Sequence, residues 1–338
     1  MDITVILCTY NRSDSLAKAL DSVAASTLPE PIGWEVLVVD NNSKDRTREV
    51  VETYCQRYPR RFRYLFESKQ GKSYALNSGI LKARGDVVAF MDDDVIVEPT
   101  WLRFLTAPLE SGDCAGVGGR ILPARALVPP KWLSLNGPYS MGRMLALFDL
   151  GDQPGELREA PFGTNMAFRK SVFGKYGVFR TDMGPCPGSE LRNEDTEFGR
   201  RLLAKEERLQ YEPSAIVYHS ISEERLEKRY FLAFWFDHGR ASIREWKKGP
   251  PILGIPREYC WLLRLAMAVP WNTLKWMLTL NSPRRFYRKG FVWMRFGQIL
   301  EIYHQLASSM AHTQGCRKPS EIPDEMPSAE RSSDPVYR

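Results

Sequence analysis

Val87-Val88-Ala89-Phe90-Met91-Asp92-Asp93-Asp94 decides how this chain reads, because an unbroken apolar run passes directly into three carboxylates. A short apolar run that follows a turn, here Arg84-Gly85-Asp86, reads as a strand buried on both faces. Three adjacent carboxylates at its carboxyl end repel one another and relax through protonation, solvation or a bound cation. That end of an open α/β sheet is also where ligands collect. If the strand conformation continues, Asp92 and Asp94 project to one side while Asp93 points away. Two carboxylates on one side suit a hard divalent cation that also holds phosphate oxygens.

Upstream, the apolar runs 3–7, 34–39 and 62–66 repeat the pattern, each followed by a segment of helical period. Leu16, Leu20, Val23 and Ala24 share one helical face behind Ser13 as N-cap, and residues 72–83 form the third helix. The alternation predicts an α/β protein with a Rossmann-like, mostly parallel central sheet flanked by helices. Beyond Pro108 the pattern loosens, with strands expected at 115–122, 165–169 and 215–218. A helix is expected at 194–205, entered through acidic residues that suit its positive N-terminal end.

With 338 residues and 43% hydrophobic content the chain can bury a substantial core. Its 47 Lys+Arg against 41 Asp+Glu leave a surplus of +6, short of a dedicated nucleic-acid binder, so no nucleic-acid partner is expected. The six cysteines lie far apart without metal-type spacing, which predicts free thiols in a reducing compartment. Met1-Asp2 leads straight into the first apolar run, so a secretory leader is not expected and a cytoplasmic location is. The least polar later stretch, 265–274, is interrupted by Pro270 and falls short of the ~20 apolar residues that span a bilayer.

The first strand exits through Cys8-Thr9-Tyr10-Asn11-Arg12, which offers hydroxyls, an amide, an aromatic face and a guanidinium just before a helix start. Those groups suit a nucleotide base and its phosphates. Asp40, with Asn41 and Asn42, ends the second strand in the same way. No G-x-G-x-x-G follows the first strand and no P-loop occurs, which disfavours a dinucleotide-dependent oxidoreductase.

Thr9-Tyr10-Asn11-Arg12, the turn at 38–43, the segment Gly71 to Gly79, the aspartate triplet and Asn193-Glu194-Asp195 occur in this order. Together they resemble the family 2 glycosyltransferases of the GT-A fold, over roughly residues 3–219. The resemblance implies transfer of a sugar from a nucleoside-diphosphate donor, with inversion, supported by Mg or Mn. It implies that Asp40 reads the nucleobase with Thr9 and Arg12, and that Tyr10 and Asn11 share that donor loop. Asp92 and Asp93 would meet the donor, Asp94 and His219 the metal, and Lys72 and Asn77 the donor side. Asp195 would be the catalytic base, with Glu194 orienting it or touching the acceptor. Gly163 would allow close backbone approach, and Asn165 would meet donor or acceptor.

The organisation implied is a nucleotide-sugar-binding half at 1–110, an acceptor-side half at 111–224, an aromatic and basic helical extension at 225–312 and a disordered tail at 313–338. The resemblance implies an acceptor that is a saccharide or lipid-linked carrier in polysaccharide or cell-envelope glycan synthesis. In the extension, Trp261, Trp271 and Trp276 interleave with Arg264, Lys275, Arg284, Arg285, Arg288 and Lys289. This pattern fits either peripheral contact with an anionic membrane, at its inner face, or helices packed on the catalytic domain. A nucleotidyltransferase of related fold and a non-catalytic glycan or membrane adaptor are the competing classes. The first lacks its glycine-rich entry loop after Leu7. The second predicts no metal-dependent nucleotide binding.

Overall fold

The computed structural model describes residues 2–187, 191–246 and 257–315. Strands β1 (Ile3–Thr9), β2 (Trp34–Asp40), β3 (Phe62–Phe66) and β4 (Val87–Asp92) alternate with helices α1 (Ser13–Ala24), α2 (Thr47–Arg57) and α3 (Lys72–Lys82). They lie in the order β3-β2-β1-β4, all parallel. Val5, Ile6, Val36, Val38, Val87 and Val88 are fully buried, which is why these strands read as continuous apolar runs. The register sets Thr9 opposite Asp40 and Cys8 opposite Asp92, so three strands end almost level and deliver their polar residues to one rim.

The second half adds β5 (Val95–Val97), β6 (Gly116–Pro123), β7 (Gly155–Glu156), β8 (Asn165–Arg169) and β9 (Leu209–His219), with α4 (Trp101–Thr106), α5 (Ser171–Tyr176) and α6 (Glu194–Leu203). The sheet continues β4-β8-β6-β9-β5, with β7 on β9. Here β8 runs antiparallel to both neighbours and β9 is parallel to β6, so the parallel run belongs to the first half and the second is mixed. One sheet therefore joins the two halves.

Ser13 is not an N-cap but the first helical residue, and its N–H donates to Asp45 Oδ2 at 2.9 Å. Asp45 Oδ1 accepts from the Thr47 N–H at 3.0 Å. A single carboxylate thus satisfies free amides at the starts of two helices, where negative charge is favoured.

The extension is helical, as expected. Helix α7 (Lys228–Glu245) seats Phe231 and Trp235 against Met144, Leu145 and Ile221 of the catalytic half. Helix α9 (Ser282–Gly315) runs along α7, and α8 (Arg257–Met277) packs on α9. Glycine allows the close approach of α7 and α9: a Cβ at Gly239 would overlap the Met294 carbonyl, and one at Gly297 the Phe236 carbonyl. Buried Glu301 of α9 accepts from Arg240 at 3.2 Å and Arg244 at 2.6 Å. Helix α9 continues to Gly315, so residues 313–315 of the expected tail are helical, and the rest, 316–338, lies outside the described residues. Among the described residues no helix is long and apolar enough to cross a membrane, and Cys8, Cys55, Cys114, Cys186 and Cys260 are free thiols.

Candidate active site

A cleft of about 450 Å³ opens at the carboxyl ends of β1 and β4, lined by Thr9, Tyr10, Arg12, Lys72, the aspartate triplet, Glu194, Asp195 and His219. β4 stops at Asp92 and the chain turns through Asp93 and Asp94 into β5. The alternation expected of a continuing strand therefore fails, and Asp93 lines the cleft with its neighbours.

Each carboxylate has its own partners. Asp92 Oδ1 lies 2.7 Å from Lys72 Nζ, and its Oδ2 accepts from the Thr164 hydroxyl at 2.7 Å. Asp93 accepts from the Thr9 hydroxyl at 2.8 Å and from Arg12 at 3.1 Å. Asp94 Oδ2 receives Arg12 at 3.0 Å and Arg225 at 3.3 Å. Three cations thus offset the mutual repulsion of the triplet. Burial still pushes Asp93 up to about 6, because Arg12 only partly opposes it. Burial acts the same way on Asp94, but the guanidiniums of Arg225 and Arg12 outweigh it and hold that carboxyl well below its usual range.

His219 is buried, with Nδ1 2.9 Å from the Leu145 carbonyl oxygen and Nε2 2.9 Å from an Arg225 nitrogen. The carbonyl selects the Nδ1–H tautomer, which leaves the Nε2 lone pair facing Arg225 and, 3.5 Å away, Asp94 Oδ1. One carboxylate oxygen and one imidazole nitrogen at this separation fit a divalent cation that completes its shell with phosphate oxygens and water, once Arg225 moves off the nitrogen. Among the described residues no cluster of three or more His, Cys, Asp or Glu could hold a metal by itself.

Asn193, in the left-handed region at φ 81°, turns the chain into α6. Asp195 then accepts from the Gly163 N–H at 2.7 Å on Oδ2 and from the Thr196 N–H at 2.6 Å on Oδ1. The Thr196 hydroxyl adds a third contact, to Oδ1 at 3.2 Å. A Cβ at Gly163 would press on Asp195 Oδ2 at 3.1 Å, so this glycine seats the carboxylate. Glu194 is buried, which pushes it up to about 7, while Lys72 at 3.7 Å pulls the other way.

Four of the residues expected to meet ligand already have hydrogen-bond partners within the protein. Asn165 is wholly buried: it accepts from Trp101 Nε1 at 2.8 Å and donates to the Arg120 and Ala215 carbonyls at 2.9 and 2.8 Å. It stitches the sheet. Asn77 exchanges two hydrogen bonds with the Phe179 backbone, at 2.8 and 3.0 Å, fastening α3 to the segment after α5. Asn11 accepts from the Lys44 N–H at 2.7 Å and pins the first exit loop to the second. Asp40 accepts from the Ser43 N–H at 2.9 Å and the Tyr64 hydroxyl at 2.8 Å, while its neighbour Asn41 lines the cleft. Thr164, Tyr230 and Phe234 also line the cleft, and Arg143, Arg192 and Arg225 do so without having been singled out.

A profile of the family described as Glycosyl transferase family 2 matches residues 4–177. The chain is 28% identical over 249 residues to the glucosyl-dolichyl phosphate glucuronosyltransferase of Haloferax volcanii, covering 70% of this chain and 75% of that one. It is 27% identical over 245 residues to the succinoglycan biosynthesis protein ExoM of Rhizobium meliloti, covering 72% and 75%. Among solved structures, the mannosyltransferase PcManGT of Pyrobaculum calidifontis, in complex with GDP-Man and Mn2+, superposes with a TM-score of 0.52 at 17% identity over 91% of this chain and 75% of that one. GalNAc-T7 with UDP, GalNAc and Mn2+ gives a TM-score of 0.52 at 16% identity over 72% and 51%. The fold is thus shared with sugar-transferring enzymes, and the chain belongs to glycosyl transferase family 2, as a glycosyltransferase of the GT-A fold.

Proposed function

We propose that this glycosyltransferase moves a sugar, with inversion, from a nucleoside diphosphate to a hydroxyl of a saccharide or lipid-linked acceptor in polysaccharide or cell-envelope glycan synthesis. The observation that carries the reading is Asp195, whose carboxylate two backbone amides fix in the same cleft as the strand-end cluster. Direct displacement needs one base to take the acceptor proton, and a carboxylate held in a single orientation meets that need. Thr9, Tyr10 and Arg12 would receive the nucleoside and its phosphates, Arg12 by charge-assisted hydrogen bonds. Lys72 keeps Asp92 ionised and placed for the donor's hydroxyls. Asp94 and His219 would hold Mg or Mn, which when bound offsets charge on the departing diphosphate. The two solved relatives that contain Mn2+ support this assignment.

The test is calorimetry with nucleoside diphosphates with and without Mn, followed by a panel of nucleotide sugars assayed for slow donor hydrolysis. Metal-dependent heat and hydrolysis of one sugar nucleotide are expected. A chain that binds no nucleoside diphosphate in either condition would not be this enzyme, but an adaptor on the same fold.

A further inference from the structure

Among the described residues, helix α8 is covered on one face only. Leu265 is buried with Ile243 of α7 and Ile302 of α9, and Trp261 and Leu262 pack on the same cluster. Along the other face Tyr259, Leu263, Met267, Trp271, Leu274 and Leu278 recur at intervals of four, four, four, three and four residues, which is a single helical stripe. All six are exposed, Leu263 by 66%, Met267 by 72% and Leu278 by 73%. Soluble surfaces scatter single apolar residues, whereas an aligned row marks an interaction face.

The charges around the stripe identify what it meets. Between Glu258 and Glu301 the sequence contains no Asp or Glu, while Arg264, Lys275, Arg284, Arg285, Arg288, Lys289 and Arg295 all fall there. Arg264, Lys275, Arg284 and Arg285 are exposed. The Lys275 ammonium sits 4.5 Å over the Trp271 ring, at the border of stripe and rim. An apolar row edged by one sign of charge, on a helix too polar to span, has the form of an interfacial helix on an anionic surface. A second copy of this chain, stripe to stripe, would oppose like charges with no acid to relieve them.

We infer that α8 seats the enzyme on an anionic lipid bilayer, with the helix in the plane of the headgroups, its apolar row inserted and its basic rim on lipid phosphates. Helices α9 and α7 then act as a spacer, because α7 carries Tyr230 and Phe234 of the cleft wall on the catalytic side of the stack. The inference stands independently of which sugar the cleft transfers.

The experiment is co-sedimentation of the full chain with vesicles of phosphatidylcholine alone and of phosphatidylcholine with about one-third phosphatidylglycerol. The protein should pellet with the anionic vesicles, stay in solution with the neutral ones, and release as salt is raised. Leu263→Glu with Leu278→Glu, and separately Lys275→Glu with Arg284→Glu, should each weaken binding at least about tenfold, since each surface charge is worth roughly fivefold in affinity. Both variants should keep the wild-type thermal transition and nucleotide binding, which separates lost docking from lost folding or a failed donor site. Wild-type protein that ignores anionic vesicles overturns the inference, as does unchanged pelleting of the apolar-face variant. So does a wild-type dimer in sedimentation that the same variant converts to monomer, which would assign the stripe to a second copy.

Discussion

Lys72 holds its ammonium 2.7 Å from Asp92 and 3.7 Å from Glu194, so one cation joins the end of β4 to the start of α6. Burial opposes its charge, but Asp92, Glu194 and Asp195 outweigh it and keep the amine protonated well above the ordinary range.

Removing that cation leaves buried Glu194 and half-buried Asp92 facing each other's field. Lys72→Met should destabilise the protein by about 3 kcal/mol, the scale of breaking one side of a buried ion pair, with Lys72→Arg recovering part of it. Urea denaturation measures both, and an unchanged midpoint in Lys72→Met would refute the bridging role.

Asp94 and Asp195 should fail differently. Asp195→Asn is expected to lower kcat by roughly 10²–10⁴ while nucleotide binding stays near wild type, the signature of a lost general base. Asp94→Asn should abolish the Mn-dependent part of nucleotide binding. Equal loss of nucleotide affinity in both variants would contradict the division of labour.

Asp93 sets a pH dependence of stability. Its carboxyl shifts from 3.8 to about 6 on folding, so the folded chain takes up this proton more readily than the unfolded one. The stabilisation is fully present below about pH 4 and is lost as pH rises through about 6, on the order of 3 kcal/mol in all. Asp93→Asn lacks this titration. Its stability relative to wild type should therefore improve across that window in urea melts at successive pH values, whereas a constant difference would exclude the shift.

Two glycines should respond in opposite directions. Gly239→Val forces a side chain into the Met294 carbonyl and should cost about 3 kcal/mol or more. Gly174, inside α5, has nothing within 4 Å of an added Cβ, so Gly174→Ala should gain about 0.5 kcal/mol. Thermal melts of the pair decide this, and a destabilised Gly174→Ala would count against the packing described.

β1, β2 and β4 were legible because burial on both faces leaves a nearly unbroken apolar record, as in Val36 to Val39, whereas β3, mostly half-buried, was legible from its aromatic content. β9 was legible only from 215 onward. Its buried and less buried positions alternate, and Pro213 sits where the register with β6 jumps from Gly119–Glu212 to Arg120–Ile216, so local composition there resembles a loop. The acids of the site were readable because strand ends and a helix start marked them. Their partner Arg225 was not: it reaches Asp94 from a distant turn, and nothing near it in sequence signals that approach. Asn77 and Asn165 show the converse, since an amide in a motif carries no mark of whether ligand or backbone will take its hydrogen bonds.

The position of β9 bears on where this protein can be divided. The family profile ends at residue 177, yet β9 begins at Leu209 and lies between β6 and β5 in the interior of the sheet. A fragment trimmed at the limit of recognisable similarity would leave β6 with an unzipped flank and strip His219 from the rim. Such an open margin invites fibrous self-pairing. The smallest autonomous folding unit is consequently longer than the stretch by which the lineage is recognised.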